Sequence, residues 1–353
     1  MARHPQGSDH FPEASMSELA RIAAAMAARG KGILAADEST GTIEKRFKAI
    51  GVENTEENRR AYRDMLFTTK GLGEHISGVI LYDETLRQKA SDGTPFAQLL
   101  AMQGVIPGIK VDTGAKPMAL CPGELVTEGL DNLAKRCAEY VKLGAKFAKW
   151  RAVINIGNGI PSQACIVANA HALARYAAIC QGSGLVPIVE PEVLMDGAHG
   201  VERCEEVAEW TLREVFAALA SQRVTPEEMV LKPSMVVSGS ESRQQAGVAE
   251  VAQRTLKVLR RTVPAAVPGI AFLSGGQSDE RATEHLDAMN RLGGAPWALT
   301  FSYGRALQQP SLKAWRGSAA NVAAAQAALA HRARMNGLAA MGQYRSELEK
   351  KAA

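Results

Sequence analysis

Lys232 lies inside the run MVLKPSMV, residues 229–236, whose other residues suit a buried strand and its end. A lysine in such a run is costly unless it is paired or neutral, so its position needs a chemical reason. Other apolar runs carry polar residues in the same way. Side chains at i and i+2 of a strand share a face. Applied to the late positions of each run, that rule pairs Asp37 with Ser39, Lys110 with Asp112, Lys149 with Arg151, and Glu190 with Glu192. It also pairs Lys232 with Ser234, Ser274 with Gly276, and Ser302 with Gly304. One such pair is a strand end emerging into water. Seven in phase predict a charged pocket.

Within it, Lys232 is expected beside Lys149 and Arg151 from one strand and Glu190 from the next. Nearby cations and partial burial both favour the neutral amine. A lysine with a pKa of roughly 7–8 attacks carbonyls. The competing reading is a structural ion pair between Lys232 and Glu190, and the residues alone leave both open.

Two stretches suit anions. Ser274-Gly275-Gly276 and Ser302-Tyr303-Gly304-Arg305 close the last two runs. Their small residues let backbone N–H groups approach an oxyanion, and Arg305 adds a fork of donors. Ser39, Thr42, Lys45 and Arg46 follow the first run at a helix start, and Lys110 ends the third; hydroxyls and cations at a helix N-terminus favour phosphate. Metal chemistry fits poorly: among seven histidines no HxH spacing or cluster occurs, so no metal site is expected.

The elements that must position these residues follow a beat. GILAAD (32–37), GVILYD (78–83), VIPGIKVD (105–112), KFAKWRAV (146–153), LVPIVEPE (185–192), MVLKPSMV, GIAFLSGG (269–276) and WALTFSYG (297–304) start roughly 27 to 46 residues apart. Apolarity on both faces suits parallel strands covered by helices, and the spacers carry helical stripes. Leu130, Leu133, Ala134, Cys137, Tyr140 and Val141 recur at i, i+3, i+4, i+7 before Gly144. Ile166, Ala170, Leu173, Ala174 and Ala177 do so between a Ser162 cap and Gly182. Helical spacers exclude an all-strand propeller. Eight strand–helix units predict a single (β/α)8 TIM barrel, whose active site lies at the carboxyl ends of its strands. The expected layout is a polar, flexible lead over 1–16, a barrel domain over 17–338 and a tail over 339–353. The barrel domain includes an extra capped helix at 17–29 and a closing helix at 318–338.

Totals agree. The chain has 353 residues, 46% hydrophobic and 22% charged, with a formal charge of +4 too small and scattered to argue for nucleic acid. No run of 18 apolar residues suggests a membrane span, and the first residues lack a signal-peptide pattern. Five cysteines without a CxxC read as reduced thiols of a cytoplasmic protein.

With the motifs GILAADEST, PGIKVDTG, FAKWRAV, VPIVEPEVL, LKPSMV, FLSGGQS and WALTFSYGRALQ in order, the sequence resembles the class I, Schiff-base fructose-bisphosphate aldolases from about residue 15 to about 345. The resemblance implies a cytoplasmic, usually homotetrameric barrel enzyme of glycolysis and gluconeogenesis. Its substrates are fructose 1,6-bisphosphate and the triose phosphates, and it uses no cofactor beyond a covalent lysine imine. It implies that Lys232 forms the imine, that Glu190 is its general acid and base, and that Lys149 supplies positive charge. Glu192 supports that network, and Asp37 orients Lys232 and the C4 hydroxyl. Ser274, Gly275, Gly304 and Arg305 match the family's 1-phosphate site; Ser39, Thr42 and Lys110 match its 6-phosphate site. Two departures stand out. Thr42 replaces the serine of the animal enzymes, and the chain ends KKAA where those end in a tyrosine implicated in protonating the enamine. The last tyrosine here is Tyr344. Other Schiff-base barrels, such as transaldolase or deoxyribose-phosphate aldolase, are the enzymatic alternative, which two phosphate sites disfavour. A non-enzymatic binding scaffold is the other, although a scaffold would not need Lys232, Glu190 and Lys149 together.

Overall fold

A computed structural model describes residues 16–352, so all but Met16 of the expected lead lies outside the described residues. The strands are β1 (Gly32–Ala36), β2 (Ile76–Leu81), β3 (Ile106–Lys110), β4 (Gly114–Pro117), β5 (Leu125–Glu128), β6 (Phe147–Ile154), β7 (Val186–Val193), β8 (Val230–Leu231), β9 (Gly269–Phe272) and β10 (Ala298–Tyr303). Eight close into a barrel in the order β1-β10-β9-β8-β7-β6-β3-β2. All eight neighbouring pairs are parallel. The remaining two, β4 and β5, form an antiparallel hairpin after β3 that the sequence reading does not anticipate. Its strands are four residues long, and Pro117 removes a ladder donor, so periodicity had little to register.

The α-helices are α1 (Glu18–Met26), α2 (Thr40–Lys48), α3 (Glu56–Phe67), α4 (Leu72–His75), α5 (Asp83–Arg87), α6 (Phe96–Met102), α7 (Leu133–Lys142), α8 (Gln163–Gly182), α9 (Val201–Ser221), α10 (Val248–Thr262), α11 (Asp279–Leu292), α12 (Arg305–Trp315) and α13 (Val322–Ala339). Ser17 and Ser162 accept the capping bonds expected of them, from Ala20 N and Cys165 N. Both terminal helices are shorter than expected at one end. The α1 helix tightens into reverse turns from Ala27, which Gly30 (φ +75°) closes, and α13 begins after a 3-10 turn at Ala319–Asn321.

Two apolar layers hold the barrel. The larger lies between strands and helices. The smaller fills the barrel itself: Ile33, Ala35, Ile80, Phe147, Val186, Ile188, Val230 and Ala271 meet there, and Ala23 and Met26 of α1 pack against them. Phe147 takes so much of this interior that a Cβ on Gly108 would lie 2.2 Å from its ring. The same strand faces change character toward their carboxyl ends. Ile33 and Ala35 lead to Asp37, Phe147 to Lys149, Ile188 to Glu190, and Val230 to Lys232. A dry, packed layer thus supports a charged one on the same side-chain rows.

Candidate active site

That charged layer floors a cleft of about 360 Å³. Of the residues expected in the site, all line it except Lys45, Ser234 and Gly276. Lys45 sits over a neighbouring groove with Ala49 and Ile50. Gly276 turns outward, and a Cβ there would lie 3.4 Å from Arg305 Nη2. Ser234 also leaves the expected row. Pro233 interrupts the strand, and Ser234 Oγ donates to Val193 O at 2.8 Å, behind the barrel wall.

At the centre, Lys232, Lys149 and Glu190 are each at most 4% exposed. Lys232 is held by its own N–H, which donates to Val189 O at 2.8 Å. Its Nζ lies 3.2 Å from Glu190 Oε1. The other oxygen of Glu190 is 3.6 Å from Lys149 Nζ and has no hydrogen-bond partner. Lys149 also meets Asp37 at 2.8 Å and Asp112 at 3.7 Å. Burial disfavours the Lys149 ammonium, yet Asp37, Glu190 and Asp112 outweigh it and hold its pKa well above the ordinary lysine value. The converse holds at Asp37. Burial pushes its carboxyl up, but Lys149 and Lys232 overcome this and hold it well below the carboxylate range. Lys149 is a fixed cation beside a carboxylate that bridges it to Lys232. The other expected neighbour, Arg151, lines the same cleft and forms an ion pair with Glu192.

Two contributors were underread in the sequence. Asp112 is more than a partner for Lys110: it lies 3.3 Å from the Lys110 ammonium and accepts from the backbone N–H groups of Arg151 (3.3 Å) and Gly114 (3.2 Å). Its place two residues after Lys110 was the available signal. Glu38 has the wrong parity for the pocket floor. It lies in the cleft wall, accepting from Arg46, Arg63 (2.6 Å) and Gln308 (2.8 Å), and so anchors Arg46 there.

The rim suits anions at two neighbouring helix N-termini. Gly304 precedes α12 and Ser39 precedes α2, neither giving its helix a side-chain cap. Both helix N-termini therefore leave backbone donors at the cleft. Ser274, Gly275 (φ +52°), Arg305, Thr42, Arg46 and Lys110 line the cleft with them, and a Cβ on Gly304 would lie 3.8 Å from Arg46 Nη2. Ser302 Oγ, 1% exposed as a residue, is buried in the lining without a partner. Among the described residues, no three His, Cys, Asp or Glu side chains are grouped to hold a metal ion, and no helix is long and apolar enough to cross a membrane.

Fold and cleft together define a TIM-barrel enzyme with its polar centre at the carboxyl ends of the strands. The family described as fructose-bisphosphate aldolase class-I matches residues 18–353, and the chain belongs to it. It is 60% identical over 332 residues to a protein of Xanthomonas campestris called "Probable fructose-bisphosphate aldolase class 1", covering 94% of this chain and 99% of that one. Fructose-bisphosphate aldolase 1 of Toxoplasma gondii is 55% identical over 93% of this chain and 91% of its own. Among solved structures, the Plasmodium falciparum fructose-bisphosphate aldolase, crystallised with TRAP and a small-molecule inhibitor, superposes with a TM-score of 0.92. It is 52% identical, over 93% of this chain and 95% of that one.

Proposed function

We propose that the chain catalyses reversible aldol cleavage of fructose 1,6-bisphosphate to dihydroxyacetone phosphate and glyceraldehyde 3-phosphate through an imine on Lys232. The observation that carries this reading is the Lys232–Glu190–Lys149 row, with Glu190 3.2 Å from one amine and 3.6 Å from the other. A carboxylate so placed can take a proton from the attacking amine and return it to the departing C2 oxygen as water. The proton passes to Oε1, the oxygen that faces Lys232.

The protonated imine then draws electrons from the C3–C4 bond. Asp37, kept anionic by Lys149 and Lys232, accepts the C4 hydroxyl hydrogen as that bond breaks. Glyceraldehyde 3-phosphate leaves and an enamine remains on Lys232. Protonation at C3 and hydrolysis release dihydroxyacetone phosphate and restore the amine. The permanent charge of Lys149 keeps the neighbouring carboxylates anionic and assists departure of the C2 hydroxyl of the carbinolamine as water. The iminium is the electron sink, so the reaction is proposed to need no metal or other cofactor.

For substrate placement, Ser274, Gly275, Gly304 and Arg305 hold the 1-phosphate, with Gly276 shaping that loop and Ser302 offering its free hydroxyl. Ser39, Thr42 and Lys110 hold the 6-phosphate, with Arg46 at the wall and Lys45 outside it. Arg151 and Glu192 brace the floor. We also propose a homotetramer in the cytoplasm, tested by sedimentation at a mass four times the chain's and by cell fractionation.

Borohydride reduction in the presence of dihydroxyacetone phosphate, followed by peptide mapping, tests the reading. Label is expected on Lys232; label on Lys149 or Lys110 overturns it. Lys232→Met is expected to lose on the order of a thousandfold or more of cleavage activity, as when other covalent nucleophiles are removed.

A further inference from the structure

The loop after β9 is shaped for freedom: Gly275 (φ +52°) and Gly276 (φ +95°) are consecutive residues in the left-handed region. Something must hold it still. Leu273 N donates to Pro233 O at 3.1 Å, and Gln277 N to Ser274 O at 2.9 Å, so both ends of the loop are tied through the backbone. The side chain of Gln277 adds a third tie. Its Nε2 lies 3.6 Å from Met235 Sδ, in the segment that follows Lys232. Its Oε1 lies 2.6 Å from Nδ1 of His285, on α11.

His285 has no role in the chemistry above, yet it is 4% exposed and its Nε2 is buried without a partner. An amide oxygen only accepts, so the imidazole donates from Nδ1–H. Burial, with help from Arg281, pushes its pKa down to about 4, so it remains this single-donor form above about pH 5. A buried imidazole kept neutral, with one nitrogen unused, is being employed for the other.

We infer that His285 is a positioning residue. Its Nδ1–H fixes the amide of Gln277, which locks the Ser274–Gly276 loop against the Lys232 segment and so sets the loop's donors for the ketose 1-phosphate. This rests on the proposed assignment of that loop to the 1-phosphate. The carboxamide nitrogen of asparagine can occupy nearly the place of imidazole Nδ1, whereas leucine fills the volume with no donor.

The experiment is steady-state cleavage of fructose 1,6-bisphosphate by His285→Leu, His285→Asn, Gln277→Leu, the His285→Leu/Gln277→Leu double variant and Arg305→Ala, with circular dichroism on each. His285→Leu and Gln277→Leu are expected to raise KM by about five- to twentyfold with kcat within about threefold of wild type. The double variant is expected to be no worse than either single one, because both remove one link. His285→Asn is expected to recover most of the KM. A wild-type KM in His285→Leu, equal damage in His285→Asn and His285→Leu, or multiplying effects in the double variant would each overturn the inference. If His285→Leu fails to fold, the partly exposed Gln277→Leu carries the same test: an unchanged KM there overturns it. The Arg305→Ala variant separates the two readings. If its KM is unchanged, the phosphate assignment fails; if its KM rises while that of His285→Leu does not, only the positioning role fails.

Discussion

Asp37 Oδ2 lies 2.8 Å from Lys149 Nζ, joining the end of β1 to the middle of β6 across the barrel floor. Each group holds the other ionised against the burial that would neutralise both. The folded pKa of Asp37 is below its unfolded value, so its contribution to stability is present in full above that unfolded value, roughly 3.9. It fades as pH falls further, toward the folded value. Lys149 is the mirror case: its folded pKa is raised, so its contribution is present below the unfolded value, roughly 10.4, and fades as pH rises beyond it. Asp37→Asn is therefore expected to change Tm by a similar amount at pH 5 and pH 9. The gap to wild type is expected to narrow only below about pH 4. Thermal unfolding of both proteins across that range checks this, and a gap already closing at pH 6 contradicts the ion pair.

Metal removal gives a second expectation. With the iminium as electron sink, no Lewis acid is required at C2. Prolonged dialysis against EDTA is expected to leave kcat and KM unchanged. Loss of cleavage that zinc restores would remove the Schiff-base mechanism altogether.

The rim gives a third. Arg305 is exposed at the first residue of α12, so truncating it breaks no buried pair. Charge-assisted hydrogen bonds are worth roughly 1.5–3 kcal/mol, so Arg305→Ala is expected to weaken dihydroxyacetone phosphate binding by about ten- to a hundredfold. Calorimetry measures it, with circular dichroism to verify the fold. Unchanged affinity would place the 1-phosphate elsewhere.

Much of this architecture was legible because strand parity is strict. Once eight runs were recognised, the i, i+2 rule carried Asp37, Lys149, Glu190 and Lys232 onto one floor. The rule failed where the backbone stopped being a strand. Pro233 turned Ser234 behind the wall, and the two left-handed glycines sent Gly276 outward. Partnership was also beyond it. Sequence set Arg151 near Lys232 but could not pair it with Glu192, a contact between neighbouring strands whose register no periodicity supplies. Likewise, Gln277 and His285 look like an ordinary loop residue and an ordinary helix residue until folding brings them to 2.6 Å.

The last expectation concerns the tail, whose helix-forming, alternately charged residues suit docking on the surface. Residues Ser346–Ala352 form a 3-10 helix, and the chain before it is tied at several points. Tyr344 N donates to Asp287 Oδ1 at 2.8 Å, and Arg291 Nη2 donates to Tyr344 O at 2.6 Å. Glu349 accepts from Arg332 at 2.6 Å and from the Tyr344 phenol at 3.0 Å. Burial and Glu349 push that phenol's pKa well above its ordinary value, so it is a poor proton donor as well as an occupied one. Tyr344 is 4% exposed, on α11 and α13 rather than in the lining of the cleft. On the proposed mechanism, protonation of the enamine falls to Glu190 or a water it holds, since that carboxyl is the one proposed to exchange protons at the imine. Tyr344→Phe removes the hydroxyl alone. It is expected to cost about 1 kcal/mol of stability while leaving detritiation at C3 of labelled dihydroxyacetone phosphate within about twofold of wild type. A hundredfold fall in exchange, with carbon–carbon cleavage spared, would return the phenol to the mechanism and require the tail to leave its dock in every turnover.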